Sequence, residues 1–525
     1  MIATTCQTRL MARLMAGLLA ALALCGTTAV AQDVPLRVRL NADIRSTDPG
    51  VNRDGNTDMV MVHLLEGLVA YREDTSIGPM LAEKIDVSSD GTAYTFTLRD
   101  GVRFHNGDLL SSLDVKSSWD RYLKKETNWR CLPEFDGRGV AKITAIETPD
   151  AKTVVFKLEK PAALFLASMA RTDCGQSGIW HKASLNADGS WNEPIGTGPY
   201  TLADWRKGQF VELKRFASYA PRSGTLDGLA GNKTASVERI RLIIVPDAAA
   251  SKAALMSNSI DMIPDVDETE AEDIKARPGL RIASTPTLGL VGLLLQTKDP
   301  VLKDVRIRRA LALSIDYPEL VKALLGDASA YNPSAIPTAS AFYKATHKVG
   351  YTRDLAAAKK LLADAGYKGE KITILTNRRY TSMYEMAVLV QAMAGDAGIK
   401  LEFEVIDWAA QLDRYSKGDY SAMAFAYSAR FDPTLSFDMF SGPKDKQPRK
   451  VWDNAAMQAL IDKSGATLEP SARQSFFDDL HRQMLEDVPA IWLYNNAALA
   501  ALGPRVGTYK TWVTEQPRFW AVTLK

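Results

Sequence analysis

Between Pro79 and Tyr122 the sequence sets turn and cap signals around short apolar alternations, and few chain paths satisfy them all. Tyr94, Phe96 and Leu98 alternate with Thr95 and Thr97, which puts one apolar face on a strand. Asp100-Gly101 supplies a tight reversal before Val102 and Phe104, so a hairpin is predicted across it. Asn106-Gly107 is a second turn. Ser111 with Asp114 three residues on has the pattern of a capping box, after which Val115, Trp119 and Tyr122 share a helical face. The unit reads strand, turn, strand, turn, helix, a small α+β module. Its one side chain of catalytic type is His105, which reads as a structural or surface histidine.

Ahead of the module, Leu36, Val38 and Leu40 mark a strand, and 59–71 shows a helix-like apolar face bordered by His63. Behind it, 141–148 and 153–158 are strand-like runs joined across Pro149-Asp150, and Pro161 suits the first turn of a helix. Gly196-Thr197-Gly198-Pro199-Tyr200 reads as a tight turn. It lacks the Gly-Lys-Ser/Thr and following helix of a phosphate loop. A strand over 237–245, a helix capped by Asp247 and a strand over 260–263 call for parallel pairing. The apolar run 288–295 suits a buried strand. Helices capped by Asp304, Asp316 and Asp354 follow, and then strands over 371–375 and 400–405 around a helix over 382–397. This alternation makes the fold class α/β.

Arg9 and Arg13 precede the apolar run 14–25, shorter than the ~20 residues a membrane span needs. Ala29-Val30-Ala31 then offers small residues at a processing site, so residues 1–31 are predicted to be a signal peptide cut between Ala31 and Gln32. Cys25 raises a lipoprotein alternative, against which Leu24 stands in place of a small residue. With 64 Lys+Arg against 62 Asp+Glu the chain is nearly neutral, which speaks against nucleic-acid binding. Outside the signal two cysteines remain, Cys131 and Cys174. Their number and the exported context favour a disulfide between them, and the pair offers too few ligands for a metal site. The five histidines are scattered along the sequence and no HExxH, GxSxG or SxxK motif stands out, so neither a hydrolase nor a haem or nickel receptor is favoured.

One set of positions carries a family resemblance. Pro79, Leu81-Ala82, Asp90-Gly91, Tyr94, Phe96, Leu98-Arg99, Gly101-Val102, Phe104-His105, Gly107 and Asp114-Val115 follow an order that resembles the signature of the family 5 extracellular solute-binding proteins. These are the oligopeptide and dipeptide receptors of ABC importers. Residues 196–200, 304–316, 354–367 and 487–494 recur in that family's order, so the resemblance spans nearly the whole chain. It implies a two-lobed periplasmic-binding-protein fold of class II type with an extra α+β subdomain. On that template lobe I takes residues 32–78, 195–287 and 490–525, the inserted subdomain 79–194, and lobe II 288–489. The resemblance further implies a periplasmic monomer without cofactor. It would close on a peptide or peptide-like solute by hinge motion and hand it to a membrane permease with its ATPase. Fold alone does not fix function, so a folding helper, a signalling receptor or an exported hydrolase remain rival classes.

The binding hypothesis centres on residues 407–437. A strand over 421–427 runs into Ser428-Ala429-Arg430-Phe431-Asp432-Pro433, polar and stopped by proline, as where a strand end feeds a cleft. In peptide receptors of the family an aromatic residue and an acid occur here, the acid pairing with the peptide amine. Tyr427 stands for the aromatic. Arg430 occupies the acid's place, and Asp432 belongs to a separate Asp-Pro. A guanidinium cannot hold an ammonium but pairs in forked geometry with carboxylate or phosphate. The ligand is then an anion of opine or sugar-acid type or a peptide held by its C-terminus, unless Arg430 pairs with Asp432 or a neighbouring domain. Trp408 either lines the cleft or packs in the core. Arg171 is a further candidate contact, or a surface arginine of the disulfide loop.

Overall fold

The structure is a computed structural model that describes residues 34–51, 55–326, 331–378, 380–428 and 430–525. The predicted cut between Ala31 and Gln32 lies outside them. In chain order the first strands are β1 Leu36–Leu40, β2 Val69–Tyr71, β3 Ile77–Pro79, β4 Ala82–Val87, β5 Ala93–Leu98, β6 Ile143–Glu147, β7 Thr153–Leu158 and β8 Tyr200–Arg206. They are followed by β9 Phe210–Arg215, β10 Arg239–Ile244, β11 Met262–Ile263, β12 Arg281–Leu295, β13 Ile372–Thr376, β14 Leu401–Val405, β15 Ala422–Tyr427 and β16 Ala490–Leu502.

Ten of these strands form one sheet in the order β14-β13-β15-β12-β16-β11-β1-β10-β9-β8. β1 pairs parallel with both β10 and β11, as the strand-helix-strand pattern requires, and β13 pairs parallel with β14 and β15. The two halves meet at β12 and β16, antiparallel strands of 15 and 13 residues, about 50 and 43 Å long at ~3.3 Å per residue. Arg281–Pro286 face Ala497–Leu502 on one side. Leu290–Leu294 face Ala490–Asn495 on the other, and the register shifts between Pro286 and Leu290. Pro286 lacks an N–H for the ladder, so regular pairing lapses where the halves join. Asn495 spans that break, its Nδ2 donating to the Gly289 carbonyl at 2.8 Å.

The 4-stranded sheet β4-β5-β7-β6 lies apart from the large one. Tyr94, Phe96 and Leu98 of β5 are buried as their alternation demands, and Trp119 of the helix Ser112–Tyr122 packs edge-on to Phe135 and Phe156. The capping box forms, with Asp114 Oδ2 accepting from the Ser111 N–H at 2.9 Å. Cys131 and Cys174 are joined in a disulfide beside Trp129, whose Nε1 donates to the Cys174 carbonyl at 3.0 Å.

Three local expectations are corrected. β5 pairs with β4 and β7, not with Val102–Phe104. The hairpin turns at Asp90-Gly91, where Gly91 has φ +69°, and Asn106-Gly107 closes only an isolated bridge between Arg103 and Leu109. The 59–71 run is not one helix: the helix is Gly55–Met61, and Gly67 lets the chain pass so close that a Cβ there would sit 2.3 Å from the Gln176 carbonyl oxygen. Gly196 and Gly198 likewise serve close approach, since Cβ atoms would meet the Leu64 and His63 carbonyl oxygens at 2.1 and 2.4 Å.

Candidate functional site

β15 is the central strand of its half-sheet, between β13 and β12. Its side chains alternate by size: Ala422 and Ala424 face one core, Met423, Phe425 and Tyr427 the other. Small residues let helices approach one face, while the large face carries an aromatic wall. Tyr415 stacks on Phe425 at 4.6 Å, Trp408 on Phe425 at 5.8 Å, and the Tyr415 and Tyr427 hydroxyls lie 3.1 Å apart. Trp408 opens the helix Trp408–Lys417, capped by Asp407, and its ring packs against Phe425 while bordering a cavity. That cavity, of about 710 Å³, includes Trp408, Tyr427, Arg430, Asp438, Arg449 and Asn496 in its lining. Burial of Tyr427, then the neighbouring Tyr415 and Tyr420, hold its phenol well above its usual pKa and therefore neutral.

The strand-end residues part company. Arg430 is half-buried at the cavity, and its Nη1 donates to Ser428 Oγ at 3.0 Å. Burial, then the charge of Arg171, push its pKa down, though a guanidinium stays charged. Phe431 crosses to the first half and stacks on Tyr71 at 4.1 Å. Asp432 is buried, caps the helix Pro433–Asp438 and accepts from Arg473 at 2.6 Å, so its charge is spent on that buried pair and not on Arg430. Arg171 is held by Asp173 at 2.8 Å and Glu134 at 3.0 Å; burial opposes its charge, yet these two carboxylates raise its pKa overall. The residues that sequence reasoning missed are Tyr415, Phe431 and Arg449. Arg449 Nη1 donates to Tyr415 Oη at 3.0 Å and to the Met439 carbonyl at 2.9 Å. Tyr415 was findable from its helical spacing to Trp408; nothing local marks Arg449.

Among the described residues, one group of His, Cys, Asp and Glu side chains lies close enough to surround an ion, Cys131, Asp173 and Cys174, and its sulfurs are bonded to each other. Two histidines scattered in sequence do meet: the His347 and His481 rings are 5.2 Å apart, with Asp478 3.3 Å from His347. His481 Nε2 donates to the Val349 carbonyl at 2.9 Å, and burial pushes its pKa down to about 4. The pair is set in packing, away from the cavity. No helix of the described residues is long and apolar enough to cross a membrane.

The family model for bacterial extracellular solute-binding proteins, family 5, matches residues 76–448. The dipeptide-binding protein of Escherichia coli (strain K12) is 26% identical over 496 residues, covering 88% of this chain and 89% of that protein. HbpA2 from Haemophilus parasuis shares the fold with a TM-score of 0.79 at 23% identity, over 94% of this chain and 100% of that one. DppA from Helicobacter pylori, in complex with the peptide STSA, superposes with a TM-score of 0.64 at 25% identity, over 94% and 98%.

Proposed function

This chain belongs to the family 5 bacterial extracellular solute-binding proteins, and from that membership we propose that it captures a peptide or peptide-like solute for an ABC importer. The relatives are binding proteins for dipeptides and peptides by name, and their fold is the two-lobed one described above. One observation carries the reading to this molecule: an aromatic-walled cavity of about 710 Å³ at the end of β15, beside the β12/β16 junction. Pockets of ~300–1,000 Å³ with an apolar lining and a few placed polar groups suit small ligands. A cavity bordered by residues flanking the junction closes when the halves rotate about Pro286–Leu290 and Asn495–Ala497, and ligand binding shifts that equilibrium.

In this reading residues 1–31 direct export and are removed after Ala31, and the mature chain works in the periplasm as a monomer. Lobe I comprises 32–78, 195–287 and 490–525, with 79–194 inserted, and 288–489 form lobe II. The closed form is what a membrane permease and its ATPase accept. The cavity does no chemistry: Tyr427 is held neutral, Asp432 is locked to Arg473, and the ligand leaves unchanged. Calorimetric titration of the ligand-stripped mature chain with di- and oligopeptides tests this. One-to-one saturation with the peptide recovered intact is expected. Hydrolysed peptide, or no saturable heat with any peptide class, would refute it.

A further inference from the structure

A second junction between the halves lies in loops, away from β12 and β16. The α+β module is one body with the first half, because Tyr94, Phe96 and Trp119 share a buried cluster with Leu36, Val38 and Trp520. The helices Ala455–Ala466 and Pro470–Asp487 belong to the other half, where Ile461, Phe477 and Leu480 pack in the cluster of Phe425 and Trp492. Yet the module and these helices touch. The Ala163 N–H donates to the Gly465 carbonyl at 3.3 Å, main chain to main chain. Leu468, 40% exposed, lies over Gly91: a Cβ there would sit 2.9 Å from Leu468 Cδ1 and 3.2 Å from Pro161 Cβ. Phe431 stacks on Tyr71, whose Oη donates to the Ala167 carbonyl at 2.8 Å. All three contacts converge on stretch 161–167 of the module.

On the far side of this junction a buried knot joins the 464–468 turn to the cavity rim. Arg473 Nε donates to the Ser464 carbonyl at 2.8 Å, and its Nη2 to Asp432 Oδ1 at 2.6 Å and Thr434 Oγ1 at 3.0 Å. The Thr434 and Ser464 hydroxyls lie 2.7 Å apart. Breaking any of these bonds strands a buried polar group, so segment 431–434 and the turn shift as one piece. That piece adjoins Arg430 at the cavity. The contacts across the junction are by contrast single and half open to water, which suits a contact that breaks and re-forms.

Resting on the receptor reading above, we propose that the module is the catch of the closed form. Its 161–163 segment and Gly91 receive the 465–468 turn when the halves come together, and the solute leaves when this contact parts. A contact made in the closed form alone lowers that form's free energy and slows release, while capture by the open form is left as it was.

Two variants, both outside the cavity lining, test the catch. Ala163→Pro removes the N–H yet suits its own turn: the Phe165 N–H donates to the Ala162 carbonyl at 3.1 Å, and Leu164 at φ −88° and ψ 2° fits the third place of a type I turn, so residue 163 holds the second, where proline is favoured. Leu468→Glu sets a charge against Gly91 and Pro161 in the closed form, and a variant that failed to fold would leave the other to decide. Stopped-flow tryptophan fluorescence reads capture and release of alanyl-alanine, alanyl-phenylalanine, trialanine and pentaalanine by the mature protein. Release is expected to quicken about threefold to tenfold in Ala163→Pro and about tenfold in Leu468→Glu, with capture rates, the order of preference among the peptides and the unliganded melting temperature unchanged. If a peptide binds and both variants release it at the wild-type rate, or if the loss falls on capture instead, the catch is overturned and the receptor reading survives. If none of the four binds the wild type, both readings fall.

Discussion

Lys233 and Glu66 are both fully buried, 2.8 Å apart, in the first half of the molecule. Glu66 also accepts from Tyr219 Oη at 2.9 Å and Thr197 Oγ1 at 3.0 Å, and the Lys233 ammonium lies 5.4 Å from the Trp520 ring centroid. One pair thus ties together the segment before β2, the 196–200 turn, the loop after β9 and the C-terminal tail. Replacing Lys233 by Met keeps most of the side-chain volume but leaves a carboxylate buried without a counter-charge. Breaking a buried pair in this way costs about 3–5 kcal/mol, a large share of the ~5–15 kcal/mol that holds a typical protein folded. Adding Glu66→Gln removes the uncompensated charge and keeps the Tyr219 and Thr197 bonds, so the double variant should be more stable than Lys233→Met alone. Urea unfolding followed by tryptophan fluorescence measures each arm of the cycle. If Lys233→Met costs less than about 1 kcal/mol, or the two losses simply add, the pair is not the buried, mutually dependent unit described here.

Removing the Cys131–Cys174 disulfide by paired Cys→Ser changes should cost about 4 kcal/mol on the chain-entropy model for a separation of 43 residues; an unchanged urea midpoint would contradict it. His63 bonds through both ring nitrogens, Nδ1 to the Met59 carbonyl and Nε2 from the Phe519 N–H, and burial pushes its pKa down to about 3. Its folded pKa lies below the unfolded value of ~6.5, so this neutral imidazole adds stability above that pH. Stability then falls from pH 6.5 toward 3, by about 2 kcal/mol between pH 7 and pH 5, and His63→Asn should flatten the pH dependence by that amount whatever it does at pH 7. Phe431→Ala removes the stack on Tyr71 that joins the halves, and should weaken ligand binding about two- to tenfold without altering specificity; wild-type affinity would show that the stack does not favour closure.

What the sequence made legible was local. The caps at Asp247, Asp304, Asp316 and Asp354 form because a side chain need only reach its own helix two or three residues on. The alternation of β5 predicts its buried face whatever strands it pairs with, which is why Tyr94 and Phe96 were read correctly and the hairpin was not. Asp100-Gly101 is as good a turn as Asp90-Gly91 by residue type. The choice between them is made by β4 and by β7, the latter more than fifty residues away. The same limit governs the cavity. Tyr427 follows from the strand, but that Asp432 is consumed by Arg473, 41 residues distant, depends on helix packing no local pattern records. Arg449 reaches Tyr415 from a loop with no regular structure of its own, so its place beside the aromatic wall was invisible before the fold was known.

The central claim, that β12 and β16 are the axis about which two halves close on a small solute, is tested most directly by small-angle scattering. The mature chain is measured alone and with the tightest-binding ligand from the titrations above. A smaller radius of gyration with ligand, abolished when the ligand is removed, is the expected result. An unchanged radius at full occupancy would contradict hinge closure and leave a rigid protein with a surface cavity.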